Sequence, residues 1–472
     1  MSVPMVPGSA ASVARPTQPT RRNAELGLLV LVWLLGALAL VLASEGAAGE
    51  VVAQVRTVVV IEGLCLLGLH LMVRWLAPYA DPIMLPAAAA LNVLGIAMIG
   101  RLDIAEANKA VARGDAVADS VAVQQVIWLA VGVVAAALVL LVVRDHRTLR
   151  RYTYLVGLAG FVLLLLPLIP GLGLTIRGAN LWIQVGSFTF QPAELAKVLI
   201  TIFFASYLVQ TRESLSLVRH KVLGLGIPRG RDLGPILVAW LLAMGIVVFQ
   251  TDLGTAALFF GLFVGLLYVA TGRRSWAVLG FLLTVVGAVV AYFAFNHVRI
   301  RVKVWLDPFA YANDEGFQIV EALYGFAAGG MMGTGWGQGY PQQVPFAESD
   351  FIFAALGEEI GMFGGFAVIV LFAVLIQRML RVAHASRDAF GTLLVTGYAI
   401  VLSLQAFIVL GGVTKLIPHT GLTTPFMSAG GSSLLANWII LGLLLRVSDH
   451  VRRPDPVYVS AGDATTEVVG VR

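Results

Sequence analysis

The sequence predicts an all-α polytopic integral membrane protein, with about twelve transmembrane helices and a large extracellular loop between spans nine and ten. Composition is the first observation: hydrophobic residues make up 58% of the 472-residue chain and charged residues only 12%, whereas about a quarter of a soluble domain is charged. The second is the series of apolar stretches close to the roughly 20 residues that a helix needs to cross a bilayer.

Twelve stretches are predicted as spans. They cover about 25–43, 57–76, 82–99, 122–143, 151–170, 193–209, 233–250, 254–271, 275–295, 351–377, 390–412 and 425–447. The transmembrane domain is expected at 23–450. Residues 1–22 and 451–472 are predicted to be cytoplasmic tails, and the first is rich in Pro, Ser and Ala, which is typical of disorder.

The distribution of Lys and Arg predicts the orientation of the spans. If the N-terminus is inside, most basic residues fall in segments that face the cytoplasm, and the 296–350 loop lies outside. Both termini are therefore expected in the cytoplasm. The net charge of +5 reflects this bias, and because the basic residues are scattered over short loops, no nucleic-acid partner is predicted.

Cysteine and histidine usage argues against a disulfide and against a metal site. Cys65 is the only cysteine, so no intramolecular disulfide can form. The seven histidines are dispersed, with no pair at metal-ligand spacing.

Ionisable side chains are concentrated where predicted spans meet the outer aqueous phase. Asp350 directly precedes span ten. A charged residue is costly at the edge of a membrane span, so its presence there indicates a functional role. The others are Glu194 and Lys197 at the start of span six, Asp252 at the start of span eight, Arg299, Arg301 and Lys303 after span nine, Glu358 and Glu359 inside span ten, and Lys415 after span eleven.

Each of these groups also has a structural interpretation. The basic run after span nine could be a solvated edge that contacts lipid headgroups. Glu194 and Lys197 are three residues apart and could pair with each other. Glu358 and Glu359 could form a salt bridge inside the bundle, and Asp350 could cap the helix that follows it.

Two glycine-rich stretches have separate interpretations. Gly333, Gly335 and Gly337 follow no predicted strand and precede no Gly-Lys-Ser/Thr sequence, so a nucleotide loop is not predicted. They are expected to permit tight turns and close backbone approach on the outer face of the bundle. Gly430 and Gly431 follow Pro425 and predict a broken or delayed start to span twelve, which is tolerated only where it is buried or lines a cavity.

These features together predict an outward-facing cavity with several cations and one carboxylate at its rim. Cations suit a phosphate-bearing ligand, and a carboxylate beside it could act as a general base. A lipid-embedded, phosphorylated substrate would satisfy both requirements.

Several motifs resemble the SEDS family (shape, elongation, division and sporulation), and within it the actinobacterial RodA branch. The resemblance covers about residues 80–450. Its motifs are Gly178-Ala179-Asn180-Leu181-Trp182-Ile183, Gln191-Pro192-Ala193-Glu194 with Lys197, Gln250-Thr251-Asp252-Leu253-Gly254-Thr255, Asp307-Pro308-Phe309, Gly316-Phe317-Gln318, Gly329-Gly330, Asp350-Phe351-Ile352-Phe353-Ala354 leading to Glu358-Glu359-Ile360-Gly361, Thr414-Lys415-Leu416-Ile417-Pro418, and Pro425-Phe426-Met427-Ser428-Ala429-Gly430-Gly431-Ser432-Ser433.

The resemblance implies a peptidoglycan glycosyltransferase of the bacterial plasma membrane, which polymerises lipid II into β-1,4 glycan strands and releases undecaprenyl pyrophosphate. Asp350 matches the family's essential aspartate and would be the general base. A divalent cation, Mg or Mn, could assist the leaving group, and no organic cofactor is expected. The implied partners are lipid II, the nascent strand, the bilayer and a class B penicillin-binding protein. The candidate substrate-binding residues are Gln191, Glu194, Lys197, Arg299, Arg301, Lys303, Gln318, Glu358, Lys415 and Ser432.

The sequence departs from the family pattern at three places. The stretch before Asp350 lacks the family's His, although Glu348 could substitute for its Glu. Leu181 stands where the family often has Arg, so that a phosphate-binding cation is missing unless Arg177 supplies it. Thr251 replaces the usual Pro.

Two other functions remain open at this point. A flippase or other transporter of lipid-linked precursors would also have many spans and buried charges, although no convincing repeat relates the two halves. A scaffold that recruits a cell-wall synthase would catalyse nothing.

Overall fold

The computed structural model describes residues 20–454 except 177–178, 187, 217–219, 223–224 and 228–229. The predicted tails at 1–19 and 455–472 lie outside the described residues, as do Arg177 and Gly178.

The described residues form fourteen α-helices and five short strands. The helices are α1 (Arg22–Ala48), α2 (Ala53–Leu76), α3 (Met84–Arg113), α4 (Val121–Val142), α5 (Thr153–Leu165), α6 (Pro192–Ser216), α7 (Gly230–Phe249), α8 (Leu253–Thr271), α9 (Arg274–Ala294), α10 (Asn296–Leu306), α11 (Phe317–Gly329), α12 (Ile352–Ala385), α13 (Ala389–Val413) and α14 (Gly431–Arg452). The strands are β1 (Gly173–Ile176), β2 (Ala179–Val185), β3 (Phe188–Phe190), β4 (His220–Val222) and β5 (Leu225–Ile227).

Eleven helical segments among the described residues are long and apolar enough to cross a membrane, and α7 contains a shorter apolar stretch, Leu237–Phe249. This confirms the prediction of a helical multi-pass membrane protein with about twelve spans. Helices α3, α6, α13 and α14 are mostly buried within the bundle, whereas α9 lies at its edge with very little of its surface covered.

The segment between α9 and α12 is more ordered than the sequence analysis predicted. The 296–350 segment is not a continuous loop, because it contains α10 and α11. In α11 the side chains of Ile319, Val320 and Ala322 are buried, together with Gly325 and Gly329. The three- and four-residue spacing of these positions gives α11 one packed face, which the high glycine content of the segment obscures.

The segment between α5 and α6 includes a small sheet that was not predicted. Strands β1, β2 and β3 form an antiparallel meander between α5 and α6. Leu181 and Trp182 lie on β2, so the motif that they belong to is positioned by a strand and not by a membrane helix.

A kink in α12 joins this helix to the glycine-rich loop. Gly361 has φ 68° and ψ −171°, so the helix is interrupted there. The freed carbonyl oxygens of Glu358 and Glu359 accept hydrogen bonds from the N–H groups of Thr334 (2.9 Å) and Gly335 (3.0 Å). The loop therefore supplies the backbone partners that the kink removes, as buried backbone requires.

The backbone hydrogen bonds between the loop and α12 run in both directions, and they depend on glycine. The N–H groups of Met362 and Phe363 donate to the carbonyl oxygens of Gly330 (2.9 Å) and Met331 (3.2 Å). A Cβ atom at Gly333 would lie 2.2 Å from the Glu359 carbonyl oxygen. The expectation that the loop glycines permit close backbone approach is thus confirmed.

Candidate active site

A cavity of about 640 Å³ lies where α10, α11, the loop before α12 and the loop after α13 converge. Its wall combines aromatic and aliphatic side chains with a few charged ones, which is typical of a ligand site. The candidate residues that line it are Gln191, Glu194, Arg301, Gln318, Asp350 and Lys415.

Asp350 is positioned by two hydrogen bonds. His419 Nε2 lies 2.9 Å from Asp350 Oδ2, and Ser349 Oγ donates to Asp350 Oδ1 at 2.8 Å. The Asp350 side chain is 17% exposed. It is not the helix cap that was one of its two interpretations, because Phe351 occupies that position and no side-chain capping bond forms.

Helical geometry separates the three cations after α9. Arg299 and Lys303 are four residues apart on α10, are exposed, and do not line the cavity. Arg301 lies on the opposite face, where its Nη1 donates to the Thr420 carbonyl oxygen at 2.8 Å. Burial lowers the pKa of Arg301, while the charges of Asp252 and Asp350 oppose this shift. In a helix the alternating spacing of these residues directs only Arg301, one cation of the three, to the cavity.

Lys415 lies in the loop after α13, with φ 60°. Among the described residues no atom accepts a hydrogen bond from the Lys415 ammonium group. The Lys415 carbonyl oxygen accepts a hydrogen bond from Trp305 Nε1 at 3.1 Å. Thr251 and Phe346 also line the cavity and have φ of 62° and 60°. Three non-glycine residues in the left-handed region around one cavity indicate a strained wall, which is common at functional sites.

The residues at the start of α6 divide between the cavity and the core. Gln191 and Glu194 line the cavity. Lys197 is buried, pairs with Glu194, and donates to Gln405 Oε1 at 3.0 Å. The predicted pairing of Glu194 with Lys197 is confirmed. Ser432 does not line the cavity, and its Oγ accepts a hydrogen bond from the Gln191 N–H at 2.8 Å.

The delayed start of the last span is confirmed, and it holds the Asp350 loop. Helix α14 begins at Gly431, and the preceding turn is buried. The Ala429 N–H donates to the Glu348 carbonyl oxygen at 2.7 Å, and Ser428 Oγ donates to the Ser349 carbonyl oxygen. The Glu348 side chain does not line the cavity, and burial raises its pKa.

Glu358 and Glu359 are bound inside the protein and do not line the cavity. Glu359 Oε1 lies 2.8 Å from Arg101 Nε, and its Oε2 accepts from the Gly337 N–H at 3.1 Å. Glu358 Oε1 accepts from the Tyr340 N–H at 2.6 Å. The salt-bridge interpretation is confirmed for Glu359, and both carboxylates fasten the glycine-rich loop to α12.

His419 is the functional candidate that the sequence analysis missed. Its side chain is 15% exposed, and its Nδ1 is buried without a hydrogen-bond partner among the described residues. A carboxylate can only accept, so the contact with ionised Asp350 requires the proton on Nε2. The available signal was its position, directly after Thr414-Lys415-Leu416-Ile417-Pro418.

In the described part of the chain, no group of three or more His, Cys, Asp or Glu side chains is arranged to hold a metal ion. The cavity is lined by two cations, Arg301 and Lys415, together with the carboxylate of Asp350. The arrangement can bind an anion and accept a proton at the same surface.

The comparisons with known proteins define the class. The family of FtsW, RodA and SpoVE, described as cell cycle proteins, matches residues 82–453. The protein therefore belongs to this family, the SEDS family, which is a class of multi-pass membrane proteins.

Among its relatives are the mycobacterial RodA proteins. The chain is 47% identical to the peptidoglycan glycosyltransferase RodA of Mycobacterium tuberculosis over 444 residues, 93% of each chain. It is 34% identical to the stage V sporulation protein E of Bacillus subtilis, over 70% of this chain and 87% of that protein.

Two solved structures share the fold. One is a chain from a peptidoglycan synthase complex that coordinates polymerization and crosslinking, with a TM-score of 0.61 and 26% identity over 79% of this chain and 98% of that one. The other is the rod shape determining protein RodA of Thermus thermophilus, with a TM-score of 0.56 and 25% identity over the same shares.

Proposed function

We propose that the protein is a peptidoglycan glycosyltransferase that polymerises lipid II into β-1,4 glycan strands during cell elongation. The observation that carries this proposal is the position of Asp350, an accessible carboxylate that faces a cavity containing Arg301 and Lys415. The similarity to mycobacterial peptidoglycan glycosyltransferases over 93% of both chains supports it.

Asp350 acts as the general base. It accepts the proton of the C4 hydroxyl of the acceptor GlcNAc while that oxygen bonds to C1 of the donor MurNAc. The bond between C1 and the pyrophosphate oxygen breaks, and its electron pair leaves with undecaprenyl pyrophosphate. A single displacement converts the α-linked donor to a β-linked product. The hydrogen bonds from His419 and Ser349 hold the carboxylate in place for this transfer.

Arg301 and Lys415 stabilise the departing pyrophosphate. Arg301 is fixed by its bond to the Thr420 carbonyl oxygen, so little reorganisation is needed when charge develops on the leaving group. Arginine is suited to bidentate contact with phosphate. Lys415, which has no ion-pair partner among the described residues, supplies a second positive charge.

Polar side chains complete the wall of the cavity. Glu194 and Gln191 provide polar contacts to sugar hydroxyls at the α6 side of the cavity, as Gln318 does at α11. No catalytic step is assigned to a divalent cation, because the described acidic and histidine side chains do not form a group that would hold one.

The topology and partner complete the proposal. Both termini lie in the cytoplasm of a bacterial plasma membrane and the cavity opens outward, as the distribution of basic residues favours. The protein works with a class B penicillin-binding protein, whose transpeptidase crosslinks the strands. The similarity to a chain of a peptidoglycan synthase complex supports an assembly of this kind.

The test is polymerisation of purified lipid II by the wild-type protein and by Asp350→Asn, each with the cognate partner. General-base catalysis typically contributes ~10²–10⁴-fold, so the variant should lose at least ~100-fold in rate. Its melting temperature and its co-purification with the partner should not change. Asp314→Asn is the matched control, because Asp314 is exposed in the same external segment and does not line the cavity.

The outcomes separate the three functions. Polymer of normal length and yield from Asp350→Asn would refute the base assignment. A wild-type protein that makes no polymer but moves labelled lipid II across proteoliposomes would indicate a transporter. A wild-type protein that does neither, yet activates polymerisation by its partner, would indicate a scaffold.

A further inference from the structure

A second external groove lies beside α11, on the side away from the cavity. It has a volume of about 510 Å³ and is lined by Ala105, Lys109, Phe317, Glu321, Gln342 and Gln343. We call it the α3–α11 groove, because one wall is the C-terminal end of α3 and the other is α11. Its volume falls within the roughly 300–1,000 Å³ of typical ligand sites.

The groove and the cavity share the start of α11. Phe317 and Glu321 are four residues apart and face the groove, whereas Gln318 and Ile319 face the cavity. The first turn of α11 therefore forms a ridge with the candidate catalytic site on one side and the groove on the other. A chain-like ligand that crosses this ridge would occupy both.

The chemistry of the groove differs from that of the cavity. Its two glutamine amides each offer donors and an acceptor, which matches sugar hydroxyls. Phe317 is 42% exposed and presents an aromatic ring on which the apolar face of a sugar can pack. Lys109 already pairs with Glu106 at 3.2 Å, so the groove lacks the free cations that a pyrophosphate would need.

One groove atom has an unmet hydrogen-bond requirement. Gln342 Oε1 is buried and has no hydrogen-bond partner among the described residues. An unsatisfied buried acceptor is destabilising unless a ligand supplies the donor. Rotation of the Gln342 amide toward the groove would let a hydroxyl or acetamido N–H of a bound sugar donate to this oxygen.

We propose that the α3–α11 groove binds the already polymerised part of the glycan strand and holds it during successive additions. The proposal rests on the function proposed above and adds a product site to it. Loss of groove contacts speeds release of the strand, since such contacts act mainly on dissociation. The reacting groups are untouched, so the rate of single additions should not change.

Two variants test this in lipid II polymerisation with the cognate partner. Phe317→Ala and Gln342→Leu should each shorten the median strand at least twofold on a gel, while the initial rate of lipid II consumption stays within twofold of wild type. Tyr340→Ala is the matched control, because Tyr340 is 65% exposed, lies just before Gln342, and does not line the groove.

Gln342→Leu also separates a structural role from a binding role. Removal of an unsatisfied buried acceptor should leave the melting temperature unchanged or raise it, yet the strands should shorten. Binding of chitotetraose, followed by saturation-transfer NMR, should weaken at least threefold in both variants and not in Tyr340→Ala.

A failure of the proposed function can be distinguished from a failure of the groove assignment. If the wild-type protein makes no polymer, the proposed function fails. If wild type and both variants make strands of equal length, the groove assignment is overturned and the glycosyltransferase activity stands. Shorter strands in Tyr340→Ala as well would also overturn it, because the effect would not be specific to the groove.

Discussion

Asp350, two residues before α12 begins, and Glu359, inside α12, are carboxylates with opposite environments. Asp350 is partly exposed, receives hydrogen bonds from a histidine and a serine, and faces an open cavity. The Glu359 side chain is fully buried and is neutralised by Arg101 and a backbone N–H. The difference teaches that a reactive carboxylate and a structural one can be told apart by their partners.

The physical reason is the cost of burial. A buried carboxylate needs a cation and enough donors to offset its desolvation, and a group so engaged cannot accept a proton from a substrate. Asp350 is partly exposed and lines the cavity, so it can accept a proton from a substrate. We therefore expect substitutions at Glu359 to act on folding and substitutions around Asp350 to act on turnover.

The largest effect should come from breaking the structural pair. Glu359→Ala leaves the Arg101 guanidinium buried without its carboxylate, and such a change costs about 3–5 kcal/mol of stability. Thermal unfolding in detergent should show a large fall in melting temperature. The Arg101→Met/Glu359→Met double variant should be more stable than Glu359→Ala, because no unpaired charge remains. A double variant that is the less stable of the two would contradict this account.

The second-largest effect should come from Arg301, the cation that faces Asp350. Arg301→Ala should raise the apparent KM for lipid II ~10–100-fold, since a hydrogen bond to a charged group is worth about 1.5–3 kcal/mol. Steady-state polymerisation kinetics would measure it. Arg299→Ala, on the exposed face of the same helix, is the control and should behave as wild type. Equal effects of the two changes would mean that α10 only contacts headgroups.

The smallest effect should come from His419, which acts through Asp350. His419→Ala should lower kcat about tenfold with KM unchanged, because one hydrogen bond that orients the base is lost. His419→Gln should recover part of the rate, since its amide N–H can reach the carboxylate. His384→Ala, exposed at the far end of α12, is the control. A fall in melting temperature that accounts for all of the lost activity would show that His419 is structural.

The spans and the motif residues could be read from the sequence, because bilayer thickness imposes a length and a hydrophobicity on every crossing helix. The structure of the 296–350 segment was harder to predict from the sequence. Its glycines suggested an irregular loop, yet α11 packs one face of its helix on the bundle. The alternation at Arg299, Arg301 and Lys303 suggested three equivalent cations, and only helical geometry selects Arg301.

Composition and motifs alone thus determined that this is a multi-pass protein with a carboxylate at the start of its tenth predicted span. Only the tertiary structure decided that His419 contacts Asp350, that Glu359 belongs to Arg101, and that Lys197 faces the core. The reason is that these pairs lie far apart in the chain or depend on which face of a helix is covered. Hydropathy shows whether a segment lies in lipid or in water, whereas contacts between segments form only when the helices pack into a bundle.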